Sequence, residues 1–304
     1  MKRLLLLLLL APAGHAQTVT AQPAAAPPHV STGEVRRFAA FPSKFVAART
    51  VDVWLPAGYP QNGPYDVLYM HDGQMLFDSL GTWNHQEWRV DETLGRLEAA
   101  RAVRPTLVVS SFNNGPYRHA EYYPERAIGY LVPAVRDTLI RKDLMGKPLA
   151  DAYLKFMVTE LKPFVDKTFR TRPGPAHTRV MGSSMGGLIS MYALCEYPQV
   201  FGRAACLSTH WIGIYWPGQA AVAASFQEYM RRKLPPPGRH RLYFDYGTAS
   251  IDSLYEPHQL AVDAILRQRG YTAQSWTTRK FAGADHSEKS WAKRLAQPLT
   301  WLLE

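Results

Sequence analysis

Two runs of this 304-residue chain, YDVLYMHDG and PTLVVSSFNNG, share one design: a continuous apolar, β-branched stretch that ends in glycine. A strand apolar on every position is buried on both of its faces, which is the signature of a parallel sheet covered by helices rather than of a half-exposed hairpin. Between the two runs lies HQEWRVDETLGRLEAA, where Trp88, Val90, Leu94 and Leu97 mark a helical apolar stripe. Strand, helix, strand in this order predicts an α/β fold with a mostly parallel, twisted central sheet and helices on both faces.

The pattern holds along the rest of the chain. Extended segments at Glu34 to Ala40 and Phe45 to Leu55 come first, the second alternating as TVDVWLP. Asp151 is placed to cap a helix whose Leu154, Met157, Leu161, Phe164 and Val165 recur at helical spacing. Strand Thr178 to Gly182, a helix from Ser184 to about Tyr197, and strand Arg203 to Leu207 follow. A helix near Ala220 to Arg232, strand Arg241 to Tyr246, helix Pro257 to Arg269, strand Ser275 to Phe281 and one last helix to Leu303 complete the series. The segment Asn113 to Pro148 reads as irregular and longer than an ordinary connection, which suggests an excursion over the site. With no internal repeat and no linker, residues 31–304 read as one domain.

The first residues read as an address. Lys2 and Arg3, the apolar run Leu4 to Leu10, and Gly14-His15-Ala16 together describe a secretory signal peptide over residues 1–16, which implies a secreted or periplasmic protein. Seven leucines fall short of the roughly 20 apolar residues that span a bilayer, so no stable membrane insertion is expected. Residues 17–30, rich in Ala and Pro, read as a flexible leader. The formal charge is +10, or 10 − 2 = +8 without Lys2 and Arg3. Its densest cluster, RRKLPPPGRHR, has no interleaved aromatics, so it reads as a solvated basic loop and not as a nucleic-acid site. Cys195 and Cys206 sit in apolar contexts and each reads as a small core residue, though export makes a disulfide between them chemically possible.

The chemistry is concentrated where predicted strands end. TRVMGSSMGGLISMY carries Gly182-Ser183-Ser184-Met185-Gly186 on a strand-to-helix turn, and Gly182, Gly186 and Gly187 leave room for a strained nucleophile at Ser184. Ser183 has no glycine two residues on, which makes it the weaker candidate. The following helix points its amino end at Ser184, so the Met185 N–H can stabilise an oxyanion. His286, in FAGADHSEKSW after the last strand, is the candidate base, on a loop where Asp285 and Glu288 form a capping pattern. Asp252 is the first acid in the loop after RLYFDYGT and the candidate orienting carboxylate, with Asp245 and Glu256 as alternatives. In YMHDGQMLFD, the N–H of Gly73 or Gln74 is placed to give a second oxyanion donor. Asp72 and Asp78 have no second cluster at ligand spacing, so neither metal nor any other cofactor is expected. Tyr117, Glu121, Tyr122, His210 and Trp211, with Tyr215 and Trp216, lie in loops near the strand ends and are candidates for substrate contact.

With these residues in hand, the chain resembles the putative-esterase family of α/β-hydrolases, which includes feruloyl esterases, enterochelin-esterase-like proteins, S-formylglutathione hydrolases and mycolyltransferases. The resemblance runs from about Glu34 onward through VDVWLPAGY, YDVLYMHDGQMLFD, WRVDETLGRL, YLKFMVTELKPFVDKTFRT, MGSSMGGLISMYALCEYPQVFG, YFDYGT and GADHSEKSW. It implies an α/β-hydrolase fold, Ser184 as nucleophile, His286 as general base and acid, and Met185 with the residue beside Gly73 as oxyanion hole. The acid departs from the pattern: the family commonly sets it very soon after Gly-Thr, whereas Ala249, Ser250 and Ile251 precede Asp252 here. The implied activity is hydrolysis of a small-molecule or carbohydrate-linked ester through an acyl-enzyme. An acyltransferase using the same serine, and a binding protein on a hydrolase scaffold, are the other readings.

Overall fold

A computed structural model describes residues 26–304. The expected signal peptide and most of the expected leader lie outside the described residues. The end of the expected flexible leader is held to the body, since Arg37 donates to the Ala26 carbonyl and the His29 N–H donates to Asp78 Oδ2 at 3.1 Å.

Eight strands form one sheet among the described residues: β1 (Glu34–Phe41), β2 (Arg49–Leu55), β3 (Asp66–Met70), β4 (Thr106–Ser111), β5 (Thr178–Ser183), β6 (Arg203–Leu207), β7 (Arg241–Gly247) and β8 (Trp276–Phe281). Their spatial order is β1-β2-β4-β3-β5-β6-β7-β8. β1 and β2 run antiparallel to their neighbours, and every pairing from β4 through β8 is parallel. The two-residue period of a strand explains the continuous apolar runs. Val67 and Tyr69 of β3 face one core with Val109, Val180 and Phe244, while Leu68 and Met70 face the other with Val108, Met181 and Tyr243.

The helices are α1 (Val90–Ala99), α2 (Arg118–Tyr122), α3 (Pro133–Lys142), α4 (Ala150–Phe156), α5 (Lys162–Thr168), α6 (Met185–Glu196), α7 (Gln219–Lys233), α8 (Glu256–Gln268), α9 (Glu288–Arg294) and α10 (Ala296–Leu303). α1, α9 and α10 cover one face of the sheet through Val90, Leu94, Trp291, Leu299 and Leu302. α4 and α6 to α8 cover the other, and α6 is buried along almost its whole length, which its uniformly apolar sequence requires.

Several sequence expectations need correction. Trp88 precedes α1 instead of lying on it, because Arg89 turns left-handed at φ 58° and the Trp88 and Val90 N–H groups bond the carbonyls of Met75 and Leu76. The helix expected from Asp151 is interrupted by a π turn at Met157–Leu161, just before Pro163, which has no N–H to continue the ladder. Asp151 does not cap it. Leu149 holds that position, and Glu125 Oε2 accepts the Asp151 N–H at 3.1 Å. The single last helix is two, broken at Leu295, because Pro298 cannot bond the Arg294 carbonyl. Asp285 is not its cap; Ser287 is, accepting from the Ser290 N–H at 3.3 Å. The 113–148 excursion, expected to be irregular, is built of short helical turns including α2 and α3.

Candidate active site

The carboxyl ends of β3, β5, β6, β7 and β8 lie along one edge, where an open parallel sheet collects its ligands. Ser184 sits between β5 and α6 at φ 58°, ψ −121°, a region an L-residue occupies only under constraint. Several bonds supply the constraint. The Ser184 N–H donates to the Leu207 carbonyl at 2.9 Å, and the Ser184 carbonyl accepts from the N–H groups of Gly187 at 3.0 Å, Leu188 at 3.3 Å and His210 at 3.2 Å. The glycines supply the room: a Cβ on Gly182 would lie 2.7 Å from the Gly186 carbonyl carbon and oxygen, which cannot yield without parting strand from helix. Ser183 lies within β5, paired with Leu207.

Met185 opens α6, and the first N–H groups of a helix have no acceptor within it. The same holds for Gly73 and Gln74, which open a 3-10 turn at Gly73–Met75. Asp72 enters that turn left-handed at φ 56°. Its carboxylate takes Arg118 Nε and a terminal guanidinium nitrogen at 2.7 Å each, and Asn113 Nδ2 at 2.7 Å. A Cβ on Gly186 would lie 3.4 Å from Asp72 Oδ2, so this loop packs on the start of α6. Burial pushes the Asp72 carboxyl up, yet Arg118, Asn113 and His71 together hold the group below the usual carboxylate range. Asp78 caps the next turn, accepting from the Leu80 N–H at 2.9 Å. Among the described residues, no three His, Cys, Asp or Glu side chains are grouped to hold a metal ion.

His286 Nδ1 is 2.6 Å from Asp252 Oδ1. The loop carrying His286 is clamped to the end of β7, where the Ala284 carbonyl accepts from the N–H groups of Thr248 and Ala249 at 3.0 Å each. Gly247 permits the clamp, since a Cβ there would fall 2.1 Å from that carbonyl oxygen. A 3-10 turn at Ser250–Leu254 brings Asp252 back under the imidazole and absorbs the extra residues after Gly247-Thr248. The other acids lie elsewhere: Asp245 pairs with Arg294 at 3.0 Å, and Glu256 with Lys280 at 2.7 Å. The Trp291 ring stands edge-on to His286 with centroids 5.0 Å apart.

The candidate substrate contacts divide. Tyr117 is exposed. His210 is buried beside the elbow, with Nδ1 2.7 Å from the Tyr255 hydroxyl and its ring 5.1 Å from that of exposed Tyr215. Burial, reinforced by His286, His119 and Arg118, drives the His210 pKa well down, so it stays neutral. Three others are turned inward onto partners within the protein. Glu121 is buried in a bidentate pair with Arg49 at 2.7 and 2.8 Å, Trp211 Nε1 donates to Gln259 at 2.9 Å, and the buried Tyr122 hydroxyl accepts the Asp72 N–H at 3.3 Å. Trp216 donates to Asp143 at 2.8 Å. Sequence reasoning missed Arg118, which latches α2 to Asp72, and Ser208, Trp291 and Arg294 behind Asp252. Spacing gave one trace of these: Trp291 and Arg294 stand three apart on the helix that follows His286.

A doubly covered, mostly parallel sheet with a strained strand-to-helix serine, and a histidine paired to an acid on the loops that follow, defines an α/β-hydrolase. Residues 44–302 match the family described as "Putative esterase", and the chain belongs to that family of esterases. It is 23% identical over 263 residues to the uncharacterized protein YbbA of Bacillus subtilis (strain 168), covering 84% of this chain and 92% of that one. The fold is shared with a ferulic acid esterase (TM-score 0.63, 18% identity, 90% of this chain and 98% of the other). It is also shared with the enterobactin esterase of Shigella flexneri (TM-score 0.65, 18% identity, 91% of this chain and 60% of the other). No helix of the described residues is long and apolar enough to cross a membrane.

Proposed function

We propose that the protein is a serine-dependent carboxylic ester hydrolase. Ser184 Oγ attacks the ester carbonyl as His286 Nε2 takes its proton, and the oxyanion is met by the N–H of Met185 and of Gly73 or Gln74. The imidazolium returns the proton to the leaving alcohol. Water then enters by the same route, and the acyl-enzyme is hydrolysed. Asp252 holds the imidazole with its proton on Nδ1, which leaves Nε2 as the acceptor.

The observation that carries this reading is the φ 58°, ψ −121° backbone of Ser184 at the amino end of α6, with the Asp252–His286 pair on the same sheet edge. Strain of this kind is kept where the surroundings over-determine it, and a small-residue turn without chemistry has no need of it. The ferulic acid and enterobactin esterases of like fold point to esters of aromatic acids as the first substrates to try, and Tyr117 and Tyr215 are exposed near His119 and His210 to meet such a ring. The test is fluorophosphonate labelling followed by peptide mapping, then turnover on phenolic, acetylated-sugar and siderophore-type esters. Label on Ser184 and loss of both label and turnover in a folded Ser184→Ala variant are expected; an active Ser184→Ala would falsify the mechanism.

A further inference from the structure

Asp252 has a second set of partners. Oδ1 meets His286, while Oδ2 accepts from the Gly247 N–H at 2.7 Å and lies 2.5 Å from Ser208 Oγ. Two more groups reach Ser208 Oγ: Trp291 Nε1 at 3.0 Å and an Arg294 terminal nitrogen at 2.8 Å. An indole N–H and a guanidinium can only donate, so they take the hydroxyl's lone pairs. Its one proton is left a single acceptor, Asp252 Oδ2. The direction of that bond is therefore set by its neighbours.

Arg294 is fixed in turn. It donates to both oxygens of Asp245, from Nε at 3.2 Å and from a terminal nitrogen at 3.0 Å, and the Tyr243 hydroxyl lies 3.3 Å from Asp245 Oδ2. Ser208 follows β6 at φ 41°, with its N–H on the Asp245 carbonyl at 2.8 Å. Ser208, Asp245, Asp252 and Arg294 are all buried. A buried ion pair is poor value for stability alone, since well-packed apolar residues do as well. This one ends one hydroxyl away from the carboxylate under His286. Trp291 and Arg294 stand three apart on α9, so one short helix supplies both donors and follows directly on the loop that carries the imidazole.

We propose that Ser208, Arg294 and Asp245 form a positioning relay that holds the Asp252 carboxylate in place and aimed at His286 Nδ1. None of the three touches substrate. The inference rests on the serine-hydrolase reading, and it assigns Asp245 a role other than the orienting acid.

The test compares Ser208→Ala and Arg294→Gln with wild type in the full chain, measuring kcat/KM against pH on p-nitrophenyl acetate, thermal unfolding, and phosphonate labelling of Ser184. Asp252 and Tyr255 face His286 from the turn after β7 and the start of α8, His210 faces it from the loop after β6, and Asp285 and Glu288 flank it in the chain. Both variants leave all of these in place. A carboxylate that loses an O–H donor holds the imidazolium more tightly, so in Ser208→Ala the acidic limb should move up by about half a pH unit or more. kcat/KM should fall about tenfold, mainly in kcat. Arg294→Gln should move the limb the same way, since it also removes a nearby cation. If that variant unfolds because Asp245 is left unpaired, Ser208→Ala, which keeps the ion pair, decides alone. A folded Ser208→Ala whose limb superimposes on wild type overturns the relay, whatever its rate. A wild type that refuses the label sinks the serine reading instead.

Discussion

The backbone of Ser184 makes a prediction in which the usual sign of a substitution reverses. Ser184→Ala and Ser184→Gly both delete the nucleophile, so neither turns over ester, and their difference reports the backbone alone. At an ordinary helical site such as exposed Ala224 of α7, exchanging alanine for glycine costs about 0.5–1 kcal/mol of chain entropy. At φ 58°, ψ −121° an alanine also carries strain. Strain of that kind is worth on the order of 1–3 kcal/mol, and its upper part applies here because even the milder left-handed helical region costs an L-residue roughly 1–2 kcal/mol. Relief of nearly 3 kcal/mol, less the entropy and less about 0.8 kcal/mol for a buried methyl, leaves Ser184→Gly ahead by about 1 kcal/mol. For a chain of this size that is a melting temperature about 2 °C higher. Urea and thermal unfolding of the two inactive variants, with Ala224→Gly as the ordinary-site control, measure it. A Ser184→Gly variant no more stable than Ser184→Ala would show that the turn stores no strain and would remove the physical reason for reading it as a nucleophile's seat.

Other expectations are quicker to test. Glu121→Ala leaves Arg49 charged, buried and unpaired, which should cost about 3–5 kcal/mol in urea unfolding with KM unchanged; a raised KM at full stability would return Glu121 to the substrate. Burial first, then Arg118, lowers the His71 pKa to about 4, against the partial pull of Asp72. The unfolded chain takes up this proton below pH 6.5 and the folded chain only near 4, so the stability is present above 6.5 and up to about 3 kcal/mol of it is lost between the two. His71→Gln should flatten the fall in urea midpoint between pH 7 and pH 4.5, and an unchanged fall would assign it to other groups. Cys195 and Cys206 are free and buried, and burial pushes both thiols up, so a thiol reagent should find none in the folded protein and two in denaturant.

The divide between what was legible and what was not follows the range of the interaction that decides each residue. Strand runs such as DVLYM declare themselves because one buried face follows another along the chain, and the elbow glycines declare themselves because a Cβ on Gly182 would strike Gly186, four residues on. Element boundaries slipped where a local rule was overruled: Arg89 turns left-handed to meet Met75 and Leu76, and Pro163 and Pro298 break ladders that an apolar stripe cannot see. Loop side chains were the hardest, because an acid or an aromatic beside a strand end takes its meaning from its partner. Glu121 meets Arg49, 72 residues away, and Trp211 meets Gln259 at a separation of 48, so both turn inward while their neighbours Tyr117 and Tyr215 stay exposed. The three candidate acids on and just after β7 show the same dependence at closer range. Asp245, Asp252 and Glu256 are equivalent as letters, yet a strand position hands the first to Arg294, an exposed helix start hands the last to Lys280, and the intervening 3-10 turn leaves Asp252 as the one of the three on His286. The bond behind it joins Ser208 to Arg294 over 86 residues, and the three-residue spacing of Trp291 and Arg294 on α9 marks only one end of it.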